Sequence, residues 1–532
     1  MGFLLSWKDL NLRVTESKSV ALPLGDSPIK VYYKSCLHFC KEFFTNIFQS
    51  KLTDKINRRE GLYFMKPFMD ENFLLYSETA TELFNQCKDM PIVDYHCHLI
   101  PQEIAENKRF ANITDLALRG DHYKWRLMRA SGVDEKFITG DGTDEEKFYH
   151  WCATIENCIG NPVYHWTHLE MQRYFDYHKP ITKDMANKIY EHCNAIINSK
   201  DFSAWSIFKK FRVAQIGTTD DPVDSLEYHK EMADHRAKDP LLPIVQPTWR
   251  PSNIMNIEDR GFAAYIKKLE ATSGHTVQSW EDLQSALSNR IDFFHEMGCR
   301  CSDTALDPPI FEVPTNLDAI LRKALKGEFL STAETNQYKT ALMLWLGEAY
   351  NAKGWVMQLH MGAQRSNNTS MVYKLGPDTG YDSMSDKTFS RPLAQILDIL
   401  EMENALPKTI LYALNPASNA MLATMIGNFQ GNGIKGRMQW GSAWWFNDTK
   451  TGMQKHMITL AECGVLSRFI GMLTDSRSFM SYPRHEYFRR ILAQLVADWV
   501  DKGEFPYDPA RLNQIMGDIC YRNAVEYFGL EI

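Results

Sequence analysis

The feature that most constrains the fold is a regular alternation of short apolar runs with stretches of helical periodicity. Each apolar run has the length of a single buried strand, and the segments between them, such as 279–297, repeat their apolar residues at helical spacing. Eight strands alternating with helices are typical of a (β/α)8 barrel. The predicted strands are 90–96, 211–219, 241–248, 298–303, 354–362, 408–415, 436–441 and 467–475.

The segment between the first two predicted strands is too long to be a simple crossover. Residues 100–210 have helical patterns rich in Trp, Tyr and His, so we predict a helical subdomain inserted after strand 1. Residues 65–532 then form one barrel domain, since α/β barrels often exceed 200 residues. Residues 1–64 match neither part, and we interpret them as an N-terminal extension of unknown role or as the product of a start assigned too early, with Met65 the true start.

Charge, apolar runs and cysteines limit the class of protein. A net charge of −7 without a long basic run argues against nucleic-acid binding. No apolar stretch reaches the roughly 18 residues of a membrane span, and the first residues do not form a secretory signal. The 11 cysteines are scattered without C-x-x-C pairs, as expected for reduced thiols. We expect a cytoplasmic protein with neither nucleic-acid nor membrane partners.

Potential metal ligands stand at the ends of three predicted strands. His96 and His98 end strand 1 at a spacing of two, which would place both imidazoles on one face of a strand. His360 ends the fifth strand and Asp475 the eighth, and the chemistry of such barrels lies at these strand ends. Imidazole and carboxylate suit one divalent cation, with zinc favoured and manganese, iron or cobalt open.

Three arginines are predicted to converge on the same barrel mouth. Arg250, Arg365 and Arg477 each follow a predicted strand. A single arginine is usually a surface or ion-paired residue, but three beside a cation indicate an anionic substrate, because guanidinium groups bind carboxylates in a fork. An oxygen-rich acid therefore fits this site better than an apolar molecule.

These residues and their order resemble those of a known family. The chain resembles the uronate (glucuronate) isomerases, a divergent branch of the amidohydrolase superfamily, over about 65–532. The resemblance rests on ordered motifs, among them PIVDYHCHL, GDHYKWRLMRASGV, PTWRP, GCRCSD, QLHMGAQR, ALNPASN, WWFND and GMLTDSRSF. It implies a distorted (β/α)8 TIM barrel of the metal-dependent amidohydrolase type. One departure is Thr304, where relatives often carry a histidine.

The resemblance also implies roles for individual residues. The metal ligands would be His96, His98, His360 and Asp475. Asp475, Tyr123, His122 and Arg477 would form the catalytic set, and Arg250, Arg365, Trp444 and Arg522 the substrate-binding set. A hexuronate is the expected small-molecule partner, and a homo-oligomer the expected assembly.

The implied reaction converts D-glucuronate to D-fructuronate, and D-galacturonate to D-tagaturonate, in hexuronate catabolism. A proton moves between C2 and C1 through a cis-enediol, which requires a base, a polarised carbonyl and a clamp on the distal carboxylate. Asp475 is the expected base for the carbon-bound proton, and Tyr123 or His122 the group for the oxygen-bound proton. The sequence leaves open which uronate is preferred and whether the metal is essential.

Two alternative functions stay open, one within the same superfamily and one in another functional class. A metal-dependent hydrolase of the same superfamily would usually bring another strand-end His or a bridging Lys, whereas the sixth strand ends at Asn415. A non-catalytic sugar-acid binding barrel would be expected to have lost part of the site, yet the histidines, Asp475 and the arginines are all present.

Overall fold

The computed structural model of the protein describes residues 66–532. The predicted extension 1–64 and the proposed start at Met65 lie outside the described residues. The boundary between extension and barrel therefore stays a prediction.

Two parallel sheets make up the barrel wall. The described strands are β1 (Ile92–Asp94), β2 (Val213–Gly217), β3 (Ile244–Gln246), β4 (Cys301–Leu306), β5 (Val356–Met361), β6 (Ala363–Gln364), β7 (Ser383–Met384), β8 (Thr409–Ala413) and β9 (Met438–Trp440). The two sheets follow the order β1-β2-β3 and β4-β5-β8-β9. A single bridge from Trp249 to Ser302 joins the chain after β3 to β4, and a bridge from Asp220 to Trp249 continues the pairing of β2 with β3. A third, two-stranded antiparallel sheet pairs β6 with β7.

The central strands are buried on both faces, as expected for parallel strands covered by helices. All six residues of β5 and all five of β8 are buried. The register pairs Asp303 of β4 with Gln358 and Ala305 with His360 of β5. This register brings Asp303 and His360 to the same end of the barrel.

The predicted eighth strand, 467–475, is absent from the described part of the chain, and this prediction was wrong. A short 3-10 turn occupies Leu466–Arg468, and the residues that follow run between β9 and β1 without a strand ladder. Gly471 and Asp475 both have positive φ values, 78° and 48°, which interrupt an extended backbone. The Thr474 amide donates to the Asp94 side chain at 2.7 Å instead of to a strand carbonyl.

Strand β1 also ends earlier than predicted, so His96 and His98 lie beyond it. Backbone hydrogen bonds beyond Asp94 alternate between two neighbours: Cys97 N donates to Gly217 O at 2.8 Å, and His98 N donates to Ser476 O at 2.9 Å. The chain beyond β1 can approach β2 this closely because residue 217 is glycine: a Cβ there would lie 2.4 Å from the Tyr95 carbonyl oxygen.

Helices surround the barrel, and those between β1 and β2 form the inserted subdomain. The inserted helices are Pro101–Ala105, Ile113–Leu118, His122–Ala130, Asp144–Ile155, Pro162–Phe175, Ala186–Ile197 and Ala204–Lys210. The others are Glu78–Cys87, Glu227–Lys238, Ser252–Met255, Phe262–Ser273, Trp280–Glu296, Leu317–Leu325, Thr332–Ala352, Thr369–Leu375, Ser390–Met402, Asn419–Met425, Lys450–Cys463, Pro483–Asp501, Pro509–Gly517 and Asn523–Phe528. Within residues 66–532, none of the helices has the length and apolar character needed to cross a bilayer.

The described residues thus form a distorted barrel of the (β/α)8 type, with a helical subdomain inserted after β1. Seven of the described strands, all parallel, and the irregular segment before Asp475 make up its wall. The helix His122–Ala130 of that subdomain begins where the Asp121 side chain accepts hydrogen bonds from the amides of Tyr123 and Lys124, both at 3.1 Å. This N-cap fixes the first turn, which carries His122 and Tyr123 to the mouth of the barrel.

Candidate active site

A cleft of about 530 Å³ lies at the carboxyl ends of the strands and brings ten of the predicted site residues together. Asp303, Ala305, Asp378 and Trp445 also line it. The ten predicted residues in its lining are His96, His98, His122, Tyr123, Arg250, His360, Arg365, Trp444, Asp475 and Arg477.

His96, His98 and Asp475 face one another at the base of the cleft. The Nε2 atoms of His96 and His98 lie 3.3 Å and 3.1 Å from Oδ1 of Asp475. The Nδ1 atom of His98 is hydrogen-bonded to Thr219 Oγ1 at 3.0 Å, which leaves Nε2 directed at the carboxylate. Both imidazoles therefore reach one point, as predicted, although a bend beyond β1 and not strand alternation aims them there.

His360 is held by Asp303, the last residue of the predicted fourth strand 298–303. Its Nδ1 atom lies 2.7 Å from Asp303 Oδ1, while Arg250 Nη1 donates to Oδ2 of the same carboxylate at 2.7 Å. The His360 ring stacks on Tyr412 with centroids 4.2 Å apart and planes 2° from parallel. Asp303 thus fixes both the imidazole and the guanidinium.

These side chains form two overlapping groups that could hold a metal ion. One group is His96, His98 and Asp475, the other is His96, Asp303 and His360, and His96 belongs to both. The buried Nε2 atom of His360 has no hydrogen-bond partner among the described residues, although Nδ1 is bonded to Asp303. A histidine held at one nitrogen by a carboxylate and open at the other is a common metal ligand. The donor set therefore fits a metal cation.

Electrostatics keep Asp475 ionised. Burial alone would raise the pKa of its carboxyl, but the hydrogen bonds with His96 and His98 hold that pKa well below its usual range. Burial lowers the pKa of His98 to about 4, so this imidazole is neutral and free to bind a metal. The indole Nε1 of Trp444 donates to the second oxygen of Asp475 at 2.8 Å and fixes the carboxylate in place.

His122 and Tyr123 enter the cleft from the inserted subdomain. Their rings stack with centroids 4.8 Å apart, and His122 meets Trp445 edge-on at 5.4 Å. Burial, assisted by the positive charge of Arg477, lowers the pKa of His122. Its buried Nδ1 atom lacks a hydrogen-bond partner within 66–532. His122 is therefore a neutral imidazole that can accept a proton.

Arg365 and Arg477 lie at the outer rim and share the carboxylate of Asp378. Arg477 Nη2 donates to Asp378 Oδ2 at 3.0 Å, and Arg365 Nη1 lies 3.9 Å from Oδ1. Arg365 also approaches Asp307 Oδ2 at 3.3 Å, and its guanidinium lies 5.8 Å from the centre of the Trp445 ring. Two arginines are thus positioned around a single carboxylate.

The structure does not bring Arg522 to this cleft. Arg522 lies near the C-terminus, where its side chain donates to Asp518 Oδ1 at 2.7 Å and to the Gln514 carbonyl oxygen at 2.8 Å. These local contacts hold the guanidinium away from the site, so its predicted substrate contact is not supported. Thr304 does not line the cleft either, because the residues on either side of it in β4, Asp303 and Ala305, face the cleft.

The family model described as glucuronate isomerase matches residues 65–528. The chain belongs to the glucuronate isomerase family. It is therefore an enzyme that interconverts D-glucuronate and D-fructuronate in hexuronate catabolism, and the hydrolase and binding-protein alternatives are set aside.

Relatives and solved structures agree with this assignment to the glucuronate isomerase family. The uronate isomerase of Caldanaerobacter subterraneus subsp. tengcongensis is 52% identical over 469 residues, covering 88% of this chain and 100% of the relative. That of Caldicellulosiruptor saccharolyticus is 50% identical over 468 residues, covering 87% and 100%. The crystal structure of uronate isomerase from Thermotoga maritima superposes with a TM-score of 0.81 at 33% identity, covering 87% of this chain and 99% of that one.

A more distant structure shares the fold. The glucuronate isomerase from Caulobacter crescentus superposes with a TM-score of 0.79 at 23% identity, covering 87% of this chain and 97% of that one.

Among the polar and aromatic residues that line the cleft, sequence reasoning missed Trp445 and Asp378. Trp445 directly follows the predicted Trp444, which was the available signal, but Asp378 lies in a polar segment without any periodic pattern.

Proposed function

We propose that the cleft binds an open-chain hexuronate with its carbonyl end near Asp475 and its carboxylate between Arg365 and Arg477. The single observation that carries this proposal is that the base and the rim of the cleft carry different charged groups. The ionised Asp475 lies among imidazoles at the base, and two guanidinium groups lie at the rim of the same cleft. A six-carbon sugar acid has the same arrangement, with a reacting carbonyl at one end and an anion at the other.

In the proposed reaction Asp475 removes the proton from C2 of the aldose and returns it to C1 of the resulting cis-enediol. Trp444 supports this role because its indole holds one carboxylate oxygen at 2.8 Å and so fixes the direction of the lone pairs. The proton on O2 is transferred to O1 in the same conversion, which leaves a ketone at C2 and a hydroxyl at C1. Atoms and electrons balance within the substrate, so no co-reactant is needed.

His122 is the proposed carrier of the oxygen-bound proton, with Tyr123 as the alternative. Burial raises the pKa of Tyr123 well above its usual value, so its hydroxyl stays protonated and can only donate. The neutral His122, with an open Nδ1 atom, can both accept and return a proton. The same property makes His122 the second candidate for the base at carbon, because a carboxylate with a strongly lowered pKa is a weaker base.

A divalent cation, with zinc favoured, is proposed to be held by His96, His98 and Asp475, with His360 nearby. When bound, it would polarise the carbonyl and neighbouring hydroxyl oxygens of the substrate. Asp303 would hold His360 and Arg250 in place. The use of D-galacturonate, the homo-oligomeric assembly and the cytoplasmic location stay predictions.

A turnover assay with each hexuronate tests the proposal. Purified protein is expected to form the ketose from D-glucuronate and from D-galacturonate. With D-glucuronate deuterated at C2, we expect label to appear at C1 of the ketose or to be lost to solvent. Turnover with neither transfer to C1 nor exchange would exclude the proton-transfer route.

A further inference from the structure

The segment that carries Asp475 completes the barrel wall without a strand ladder, so other contacts must set the direction of its carboxylate. Asp475 has a φ of 48°, in the left-handed region that residues other than glycine rarely adopt. Such a conformation persists only where several surrounding contacts hold it. The contacts on either side of Asp475 therefore decide whether its carboxylate faces His96 and His98.

Asp94, the last residue of β1, makes the contacts on the amino-terminal side of Asp475. Its Oδ1 atom accepts from the Thr474 amide at 2.7 Å, and its Oδ2 atom accepts from the Thr474 hydroxyl at 2.7 Å. Asp94 is 1% exposed and Thr474 is 2% exposed, so bulk water does not compete for either bond. His485 Nε2 lies 3.9 Å from Oδ1, too far for a hydrogen bond. Both oxygens of one buried carboxylate thus bind the residue that precedes Asp475.

The backbone beyond β1 holds Asp475 itself and the residue that follows it. The Asp475 amide donates to the His96 carbonyl oxygen at 3.2 Å, and the Ser476 carbonyl oxygen accepts from the His98 amide at 2.9 Å. Both partners belong to the same stretch of chain as Asp94, which lies two residues before His96. Residues 94–98 therefore carry the two histidines and also hold the segment 474–476 that presents Asp475.

We propose that Asp94 and Thr474 are positioning residues for the isomerisation, because the Asp94–Thr474 contact fixes the direction of the Asp475 side chain. The inference rests on the proposed function, in which Asp475 transfers the carbon-bound proton. Proton transfer requires an aligned carboxylate oxygen, and a displacement of about 1 Å can reduce the rate about 100-fold. Neither Asp94 nor Thr474 lines the cleft. A change at their contact should therefore slow the chemical step and leave the binding of sugar acids almost unchanged.

The test removes the hydroxyl of Thr474 in the full chain. Thr474→Val replaces the hydroxyl by a methyl group of similar size, so one bond to Asp94 is lost while the amide bond can stay. Thr474→Ser keeps the hydroxyl and is the conservative variant. Thr409→Val is the matched control: Thr409 is also buried, at the start of β8, its hydroxyl donates to the Pro407 carbonyl oxygen at 2.9 Å, and it does not line the cleft.

In assays with saturating Zn²⁺, Thr474→Val is expected to lower kcat for D-glucuronate by roughly 10- to 100-fold, and Thr474→Ser should recover most of that loss. L-gulonate is the sugar acid obtained by reducing the aldehyde of D-glucuronate, so it binds without reacting. Its Kd in calorimetric titration should stay within about twofold of the parent value. Thr409→Val should keep kcat within about twofold of the parent.

A double-variant comparison shows whether the loss comes from the Asp94–Thr474 contact. Asp94→Asn changes the other partner, and the double variant Asp94→Asn, Thr474→Val should lose no more kcat than the more impaired single variant, because both changes affect one contact. Losses that multiply would show that the two residues act separately, contrary to the inference. If Asp94→Asn does not fold, the comparison of Thr474→Val with Thr474→Ser still decides.

A kcat of Thr474→Val equal to that of the parent would overturn the inference, as would a similar loss in Thr474→Ser or in Thr409→Val. A parallel rise in the Kd for L-gulonate would also overturn it, because a general distortion of the cleft would then explain the loss. Failure of the proposed function is a separate result, since Asp475→Asn would then keep its turnover whatever Thr474→Val does.

Discussion

The Nε2 atom of His98 lies 3.1 Å from Oδ1 of Asp475, although the two residues belong to segments at opposite ends of the barrel sequence. The contact forms because the segment after β9 packs against the chain beyond β1, where His98 N donates to Ser476 O at 2.9 Å. The histidine pair and the carboxylate therefore share one site only in the folded chain.

The histidine pair is expected to be needed for metal binding. The double variant His96→Ala, His98→Ala removes two of three ligands from one candidate group and one from the other. Elemental analysis should find close to one divalent cation per parent chain and a large loss in the variant. Equal metal content in both proteins would show that the cation is held elsewhere.

Asp475→Asn is expected to reduce turnover by about 10²- to 10⁴-fold, the usual contribution of a general base. The amide keeps the shape and can still accept from Trp444, but it lacks the basic lone pair. Metal content must be measured on the same sample, because Asp475 is also a candidate ligand. An inactive variant with full metal content supports the base role. Full activity with bound metal would transfer that role to His122.

Asp303→Asn tests whether Asp303 positions His360. Loss of the carboxylate weakens its bonds to His360 Nδ1 and Arg250, and such partners of metal ligands typically contribute about 10- to 100-fold to metal affinity or activity. Metal titration and kcat should both report the loss. Asp307→Asn is the comparison, since Asp307 contacts Arg365 and is expected to alter KM without altering metal affinity.

Asp220 is expected to make a pH-dependent contribution to the stability of the fold, separate from catalysis. Burial raises its pKa to about 7, above the unfolded value of about 3.9. A raised carboxyl pKa favours the folded state below about pH 4, and this contribution is lost as the pH rises to 7. Asp220→Asn does not ionise, so its Tm relative to the parent should rise by a few degrees between pH 5 and pH 8. A Tm difference that is constant over this range would contradict the assignment.

A chain that begins at Met65 is expected to fold and to keep its activity. The family model begins at residue 65, and the relative from Caldanaerobacter is matched over 100% of its length by 88% of this chain. Soluble expression and kcat/KM within about twofold of the full chain would agree with this expectation. An insoluble or inactive product would show that residues 1–64 contribute to the working structure.

The local sequence determined the order of strands and helices and the types of metal-binding side chain. Strands such as β5 and β8 were predictable because a parallel strand buried on both faces requires a short continuous apolar run, and the printed sequence shows such runs directly. The histidines, Asp475 and the arginines could be identified in the same way, because they follow those runs.

Only the tertiary structure decided how the site is assembled. The apolar run before Asp475 is typical of a strand, but the Thr474 amide donates to the Asp94 side chain and not to the backbone of a neighbouring strand. The left-handed backbone at Asp475 directs its carboxylate toward His96 and His98. Asp303 became the partner of His360 through the register of β4 on β5, and Arg522 was held away by Asp518. Asp378 reached the rim because Arg126 and Arg129 fasten its segment. Local periodicity encodes which residues are buried, whereas the partner of a polar group depends on segments distant in sequence.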